Sequence, residues 1–461
     1  MTNKKRKVSV VIDSNPYDFA TTDLFAIGKR KNNPKRDFLF ISKLLGKHLP
    51  VNPDIVKATG YVLAGLITNH PSSVLIDFLK KKRYLSTKQK EIVKEELNKA
   101  YDTKSQNVLV IGFCETATAL GYSVAMALKN SSYISTTREV IDTLVVSNDM
   151  NKKDSYHKVS IKNVINFEEE HSHATSHHMY SSENGIKKLQ DIDEIILVDD
   201  EITTGNTALN IIHEFNKKFP HIKKYTVLSI LNWMDSEFKK RTIETQKNKL
   251  NIEISFESLV EGHFKEIEDD YIENPNYNDI IANDYESIKE LPLTNENIGY
   301  GIERLNILES AISQSGVQFY KNTGRFDILD HKTIEENDKL IEVNTSKIIN
   351  AITKKIGKNQ LQQLKNILVV GDGENIYIPS KVASVISDTL NINVDYKSTT
   401  RSPVAIDNDF INDQYRYINK TNTELYLYNK KMAEDIYDLI IFIPEIKTNY
   451  TLSQKCLNLC L

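Results

Sequence analysis

The sequence predicts an α/β protein with a parallel sheet in its first half and a second α/β domain, read as a diverged copy, in its second half. Three observations carry this. Aliphatic runs of strand length alternate with stretches of helical periodicity, one of those strands ends in a cluster of acids and small hydroxyl residues, and the strand–loop–helix pattern returns far downstream. In chain order, "NVLVIG" (107–112) reads as a buried strand, followed by Leu120, Val124 and Leu128 at helical spacing. "IILV" (195–198) is the next, and Leu209, Ile211, Ile212, Phe215 and Phe219 stripe the helix after it. "YTVLSIL" (225–231) is a third. Strands without polar alternation, separated by helices, belong to a parallel sheet covered on both faces.

Downstream, "VLVIGFCE" (108–115) aligns without gaps on "ILVVGDGE" (367–374), and "STTRE" (135–139) meets "STTRS" (398–402) after four extra residues. "DEIILVDDEI" (193–202) lies more loosely on "YDLIIFIPEI" (437–446). Between Glu261 and Glu290 ten acidic residues face two basic ones, a composition that resists burial and reads as a linker. The expected division is therefore 1–260, an acidic linker over 261–298, and 299–461.

The totals exclude several classes. With 461 residues, 40% hydrophobic and 26% charged, the chain is long enough for two or three domains and ordinary for a globular protein. A formal net charge of −3 argues against a nucleic-acid binder. Cys114, Cys456 and Cys460 make no disulfide framework, which favours a reducing compartment and the cytoplasm. No apolar run reaches bilayer length, so no membrane partner is expected. Cys456 and Cys460, four apart, suggest one core turn.

The chemistry concentrates at "IILVDDEITTGNT" (195–207). In an open parallel sheet ligands bind beyond the carboxyl ends of the strands, where Asp199 and Asp200 stand. Thr203, Thr204, Gly205, Asn206 and Thr207 open the next helix, whose unpaired N–H groups and positive dipole end suit a phosphate. Acids that accept from hydroxyls, beside a loop that holds phosphate, fit a ribose 5-phosphate.

This stretch resembles the phosphoribosyl-pyrophosphate (PRPP) motif of type I phosphoribosyltransferases: four apolar residues, two acids, then Thr-Thr-Gly-x-Thr. "GFCETATALG" (112–121), "ISTTRE" (134–139), "FEEEHSHAT" (167–175) and "NPKRDFLFISKLLGKHLPV" (33–51) resemble a subgroup of that family fused to a C-terminal TRSP domain, named for the motif standing here as Thr400-Arg401-Ser402-Pro403. The resemblance implies a Mg2+-dependent transfer of ribose 5-phosphate from PRPP to an unknown acceptor, with release of pyrophosphate. It also implies a setting in tellurite- and stress-linked clusters that make a nucleoside-like metabolite, with other enzymes of the cluster as partners and a homodimer by analogy. The alternative is a PRPP-binding regulatory sensor without turnover.

On that footing the loop from Gly112 to Thr118 corresponds to the pyrophosphate loop, with Gly112, Glu115, Thr116 and Arg138 as candidate contacts. Glu115 is unusual there, and a helix-capping role stands beside the functional one. Mg2+ would bind through PRPP oxygens, with no direct protein ligand assigned. Four of the eleven histidines lie in "FEEEHSHATSHH" (167–178). Glu170, His171 and His173 are candidates for substrate contact or proton transfer, with a zinc-type site and a solvated loop as the other readings. In purine-salvage relatives an aspartate precedes the Thr-Gly of the phosphate loop; here Thr203 takes that place, leaving Glu201 as another proton handler. Between Lys29 and His48 seven lysines and arginines face Asp37, either a hood over the acceptor or a solvated basic face. The second domain keeps Glu374, Thr400, Arg401 and Ser402 as a candidate site of its own, but "IPEIKTNYT" (443–451) lacks the paired acids and Thr-Thr-Gly and should not bind PRPP.

Overall fold

The structure, a computed structural model, describes residues 3–29, 38–82, 85–141, 144–147, 156–159, 161–168, 176–272, 288–290, 299–313, 317–406, 410–445 and 452–461. The first half is organised by a seven-stranded sheet in the order Asn3–Ser14, Glu253–Ile272, Lys224–Asn232, Glu194–Ile202, Val108–Gly112, Ser131–Ser135, Leu329–Asp330. The five central strands are parallel and the two edges antiparallel. The Val108–Gly112 strand is buried along its whole length, as its unbroken aliphatic run requires.

The second half carries a five-stranded, all-parallel sheet: Gly301–Arg304, Cys456–Cys460, Leu439–Ile443, Asn366–Gly371, Asn393–Ser398. Its last four strands follow the order of Lys224–Asn232, Glu194–Ile202, Val108–Gly112 and Ser131–Ser135 in the first sheet. Val198 lies opposite Gly112, and Ile443 opposite Gly371. Sheet register therefore matches Asp200 with Glu445, one residue away from the pairing that the letters alone suggest. Cys456 and Cys460, expected on one turn, lie instead on a fully buried strand.

The expected linker begins with a strand. Residues Glu261–Ile272 continue the Glu253 strand and pair with Asn3–Ser14. The backbone register sets residues 4–7 opposite residues 271–268. Of the remaining linker, Ile288–Glu290 pairs with Gln414–Ile418.

The halves meet along buried helices. All ten residues of Thr118–Ala127 are buried, because the helix packs on Asp54–Thr68 from its own half and on His331–Val343 and Tyr377–Leu390 from the other. Tyr122 stacks on Tyr377 with ring centroids 4.2 Å apart. The N-terminal arms are exchanged. The hairpin Phe25–Lys29/Phe38–Ser42 packs against Trp233 of the first half and into Val404, Tyr426 and Tyr428 of the second. The hairpin Ser310–Ser313/Gln318–Tyr320 packs on Ile141, Ile161 and Tyr180 of the first.

Candidate functional site

The Glu194–Ile202 strand loses its Val108–Gly112 neighbour after Val198 and stays paired to Lys224–Asn232 as far as Ile202. The strand thus runs past the two aspartates, four residues longer than its aliphatic run. Asp199 and Asp200 are half-buried at the point where the neighbouring chain peels away, and Phe113 N–H donates to the Val198 carbonyl at 3.0 Å. The acids and the loop after Gly112 therefore share one crevice. Asp199 also accepts from the Asp200 N–H at 2.9 Å.

The helix after the acids spans Asn206–Lys218 and is preceded by Gly205 at φ 73°. That left-handed turn suits glycine. Thr204 and Asn206 are exposed, while Thr203, Thr207 and Glu201 are half-buried, so the tip is open to solvent. The helix begins at Asn206, after Thr203 and Thr204, and takes in Thr207.

On the other side of the crevice the Thr118–Ala127 helix sits hard on the strand end. A methyl group on Gly121 would lie 2.7 Å from the Gly112 Cα, so two glycines set this approach. Thr116 is buried and accepts from Lys47 Nζ at 2.6 Å. Cys114 N–H donates to Thr136 Oγ1 at 2.9 Å, and His177 Nδ1 lies 3.3 Å from Cys114 Sγ. His177 is buried; it braces the loop from beneath. Glu170, His171 and His173 lie outside the described residues.

Glu115 turns toward the second half. Its carboxylate accepts from Thr400 Oγ1 at 3.0 Å and from Arg401 N–H at 3.0 Å, and pairs with Lys47 at 3.2 Å. Glu374 makes the reciprocal contacts, accepting from Thr137 Oγ1 at 2.7 Å and Arg138 N–H at 3.0 Å. Arg325 bridges Glu374, at 2.9 Å from its Nε, and Glu445. Arg401 Nη2 reaches Glu139 at 2.7 Å, and Ser402 accepts from Tyr428 through its carbonyl. Of the four residues expected to line a second-domain site, Glu374, Thr400 and Arg401 are thus tied across the junction of the halves, and Ser402 bonds within its own half.

Burial pushes the Glu445 carboxyl well above the usual carboxylate range, against the pull of Arg325. Burial raises Glu374 as well, but Arg325 and Arg401 more than offset it and hold that carboxyl at about 2. Within the cluster, Glu374 is thus held down while Glu445 is pushed up. Sequence reading missed Lys47 as an individual residue and Arg325 altogether. The first was one cation among seven, and the second carried no signal beyond its place after Gly324, as Lys47 follows Gly46.

A parallel α/β sheet thus carries paired strand-end acids, an open helix tip and the loop after Gly112 at one crevice, the architecture of an α/β enzyme with its site beyond the strand ends. The chain belongs to the PRTase_2 phosphoribosyl transferase family, whose model matches residues 24–263, and residues 322–458 match the TRSP domain C-terminal to it; it is a transferase. Solved structures similar to it include adenine phosphoribosyltransferase from Trypanosoma brucei, at 12% identity and TM-score 0.27, covering 54% of this chain and 85% of that one. The Leishmania tarentolae adenine enzyme follows at 13% and 0.28, covering 53% and 88%, and the Francisella tularensis orotate enzyme at 11% and 0.22, covering 52% and 81%. No curated protein matches the chain. Among the described residues no group of three or more His, Cys, Asp or Glu is arranged to hold a metal ion, and no helix is long and apolar enough to cross a membrane.

Proposed function

We propose that the first half transfers ribose 5-phosphate from PRPP to a nitrogenous or other nucleophilic acceptor and releases pyrophosphate. Asp199 and Asp200 accept hydrogen bonds from the ribose hydroxyls, and the Thr203–Thr207 turn donates to the 5′-phosphate. The loop from Gly112 to Thr116 donates amides to the pyrophosphate, with Arg138 beside it, while Glu115 anchors that loop to the second half. Glu201 and the segment holding Glu170, His171 and His173 are left for proton transfer to or from the acceptor. The observation that supports this most is the side-by-side placement of the acid pair and the glycine loop where Val198 lies opposite Gly112.

Hard carboxylate oxygens at Asp199 and Asp200 are the donor type that Mg2+ takes, so the residues fit that ion, which would be held chiefly by the donor's own oxygens. When bound, it would neutralise charge on the leaving pyrophosphate. The subgroup resemblance supports a setting in the biosynthesis of a nucleoside-like metabolite linked to tellurite or other stress, and three cysteines that make no disulfide framework support the cytoplasm. Asp199→Asn with Asp200→Asn is expected to abolish PRPP binding in calorimetry while the fold melts as the wild type does; unchanged affinity overturns the site. Incubation with Mg2+, PRPP and cell extract is expected to release pyrophosphate in step with a new ribosylated product. Binding without turnover in every extract overturns the transfer.

A further inference from the structure

The exchanged arms are related residue by residue. Gly46, at φ 69°, accepts through its carbonyl from Ser398 N–H at 2.7 Å, and Val51 bridges to Tyr396. In the other direction Gly324, at φ 79°, accepts from Ser135 N–H at 2.8 Å, and Leu329 pairs with Tyr133. The spacing from glycine to bridge is five in both. Deeper in, Ile141 N–H donates to Tyr180 Oη at 3.2 Å and Val404 N–H to Tyr428 Oη at 2.8 Å. Each half thus lays its arm across the other's sheet, as two subunits of an exchanged dimer would.

In this correspondence Lys47 matches Arg325, Thr116 matches Asn375, and Asp200 matches Glu445. Arg325 shows where a side chain from that position goes: it reaches the loop acid Glu374 and the strand-end acid Glu445 together, and floors the cavity walled by Tyr133, Phe319, Phe326 and Tyr377. Lys47 stands at the same place in the first half, its Nζ 2.6 Å from Thr116 Oγ1 and its side chain 11% exposed. It is the cation that the loop holds.

We propose that the second half is a fused partner subunit, and that its task for the first site is to hold Lys47 where it binds the pyrophosphate of the donor. This rests on the donor site proposed above. Gly46 is the hinge of that placement. Its left-handed backbone disfavours any side chain, and a methyl group there would lie 2.9 Å from the Tyr396 ring. A single ammonium against a polyanion in a half-closed crevice is worth a tenfold or greater change in affinity.

Calorimetry in Mg2+ with three probes, PRPP, inorganic pyrophosphate and ribose 5-phosphate, tests this on the full chain. Lys47→Ala is expected to weaken PRPP and pyrophosphate at least tenfold and to leave ribose 5-phosphate within twofold. Lys47→Arg, which installs the residue type found in the second half, is expected to restore most of the loss. Gly46→Ala is expected to copy Lys47→Ala in binding, with a lowered melting temperature from the strained turn and the Tyr396 contact. Wild-type binding of PRPP with equal binding by Lys47→Ala overturns the assignment, as does an equal loss of ribose 5-phosphate. Wild-type affinity in Gly46→Ala overturns the holding role. If the wild type binds neither PRPP nor ribose 5-phosphate, the donor site itself has failed, a distinct result.

Discussion

The buried cluster at the junction of the halves predicts that two neighbouring glutamates respond oppositely to the same substitution. Glu374 is held at about 2, against an ordinary carboxyl near 4.5. At about 1.4 kcal/mol per pH unit, that is worth about 3 kcal/mol of stability at neutral pH. The sign follows from the depressed value: this contribution is present above about pH 4.5 and is lost as pH falls toward 2. Glu445 runs the other way. Its carboxyl is raised by burial, so the folded chain binds a proton that the unfolded chain has released, and stability is lost as pH rises above 4.5. At pH 7, Glu445→Gln replaces a group whose charged form burial disfavours and is expected to leave stability unchanged or raise it.

Glu374→Gln removes the charge that Arg325 and Arg401 face, but it also removes the repulsion that adds to burial in raising Glu445. Glu445 then faces Arg325 on better terms, so the loss is expected at about 1–2 kcal/mol rather than the full 3. The double variant has no such relief and is expected to lose about 3 kcal/mol, a coupling of 1 kcal/mol or more. Urea unfolding at pH 7, followed through the emission of Trp233, the single tryptophan and a buried one, reads all three. A loss of 2 kcal/mol or more in Glu445→Gln would refute the reasoning, since it would mean that Glu445 is ionised and Glu374 is not the cluster's principal anion.

Two further predictions concern the scaffold. Lys397 is buried, donates to the His48 and Tyr428 carbonyls, and is lowered by desolvation to about 8. The unfolded chain therefore binds one more proton between about pH 8 and 10.5, and stability rises with pH across that window. Lys397→Met is expected to flatten the rise by about one proton in the pH dependence of unfolding, and an unchanged slope would exclude burial as its cause. Asp330 caps the His331–Val343 helix, accepting from Thr333 N–H at 2.9 Å, and that bond chiefly holds its carboxyl near 2. Asp330→Ala is expected to cost about 1 kcal/mol above pH 4, the difference fading as pH falls through 2; a difference that persists at pH 2 would point to packing instead.

What the letters reveal depends on how far apart the partners lie. The acid pair and the threonine turn were legible because strand, acids and helix tip are consecutive, and their geometry follows from one strand end. The repeated "STTR" was visible too, but not what it does: each copy binds the glutamate of the other half, across 236 residues for Arg138 and 286 for Arg401. The helix Thr118–Ala127 was read from Leu120, Val124 and Leu128 as having one apolar face. The structure buries every face, and the hint was the absence of any charge in ten residues. The acidic run after Glu261 was read as solvated for the opposite reason. Composition counts charge but cannot see that a basic strand from the other end of the chain is laid along it. Both cases turn on what the rest of the chain brings to a segment. For the helix Thr118–Ala127 that is partly two helices of the far half, and for the strand after Glu261 it is Asn3–Ser14 of the same half. The acid–threonine motif is shaped by one strand end, whereas Lys47 near it is placed by a strand about 350 residues away.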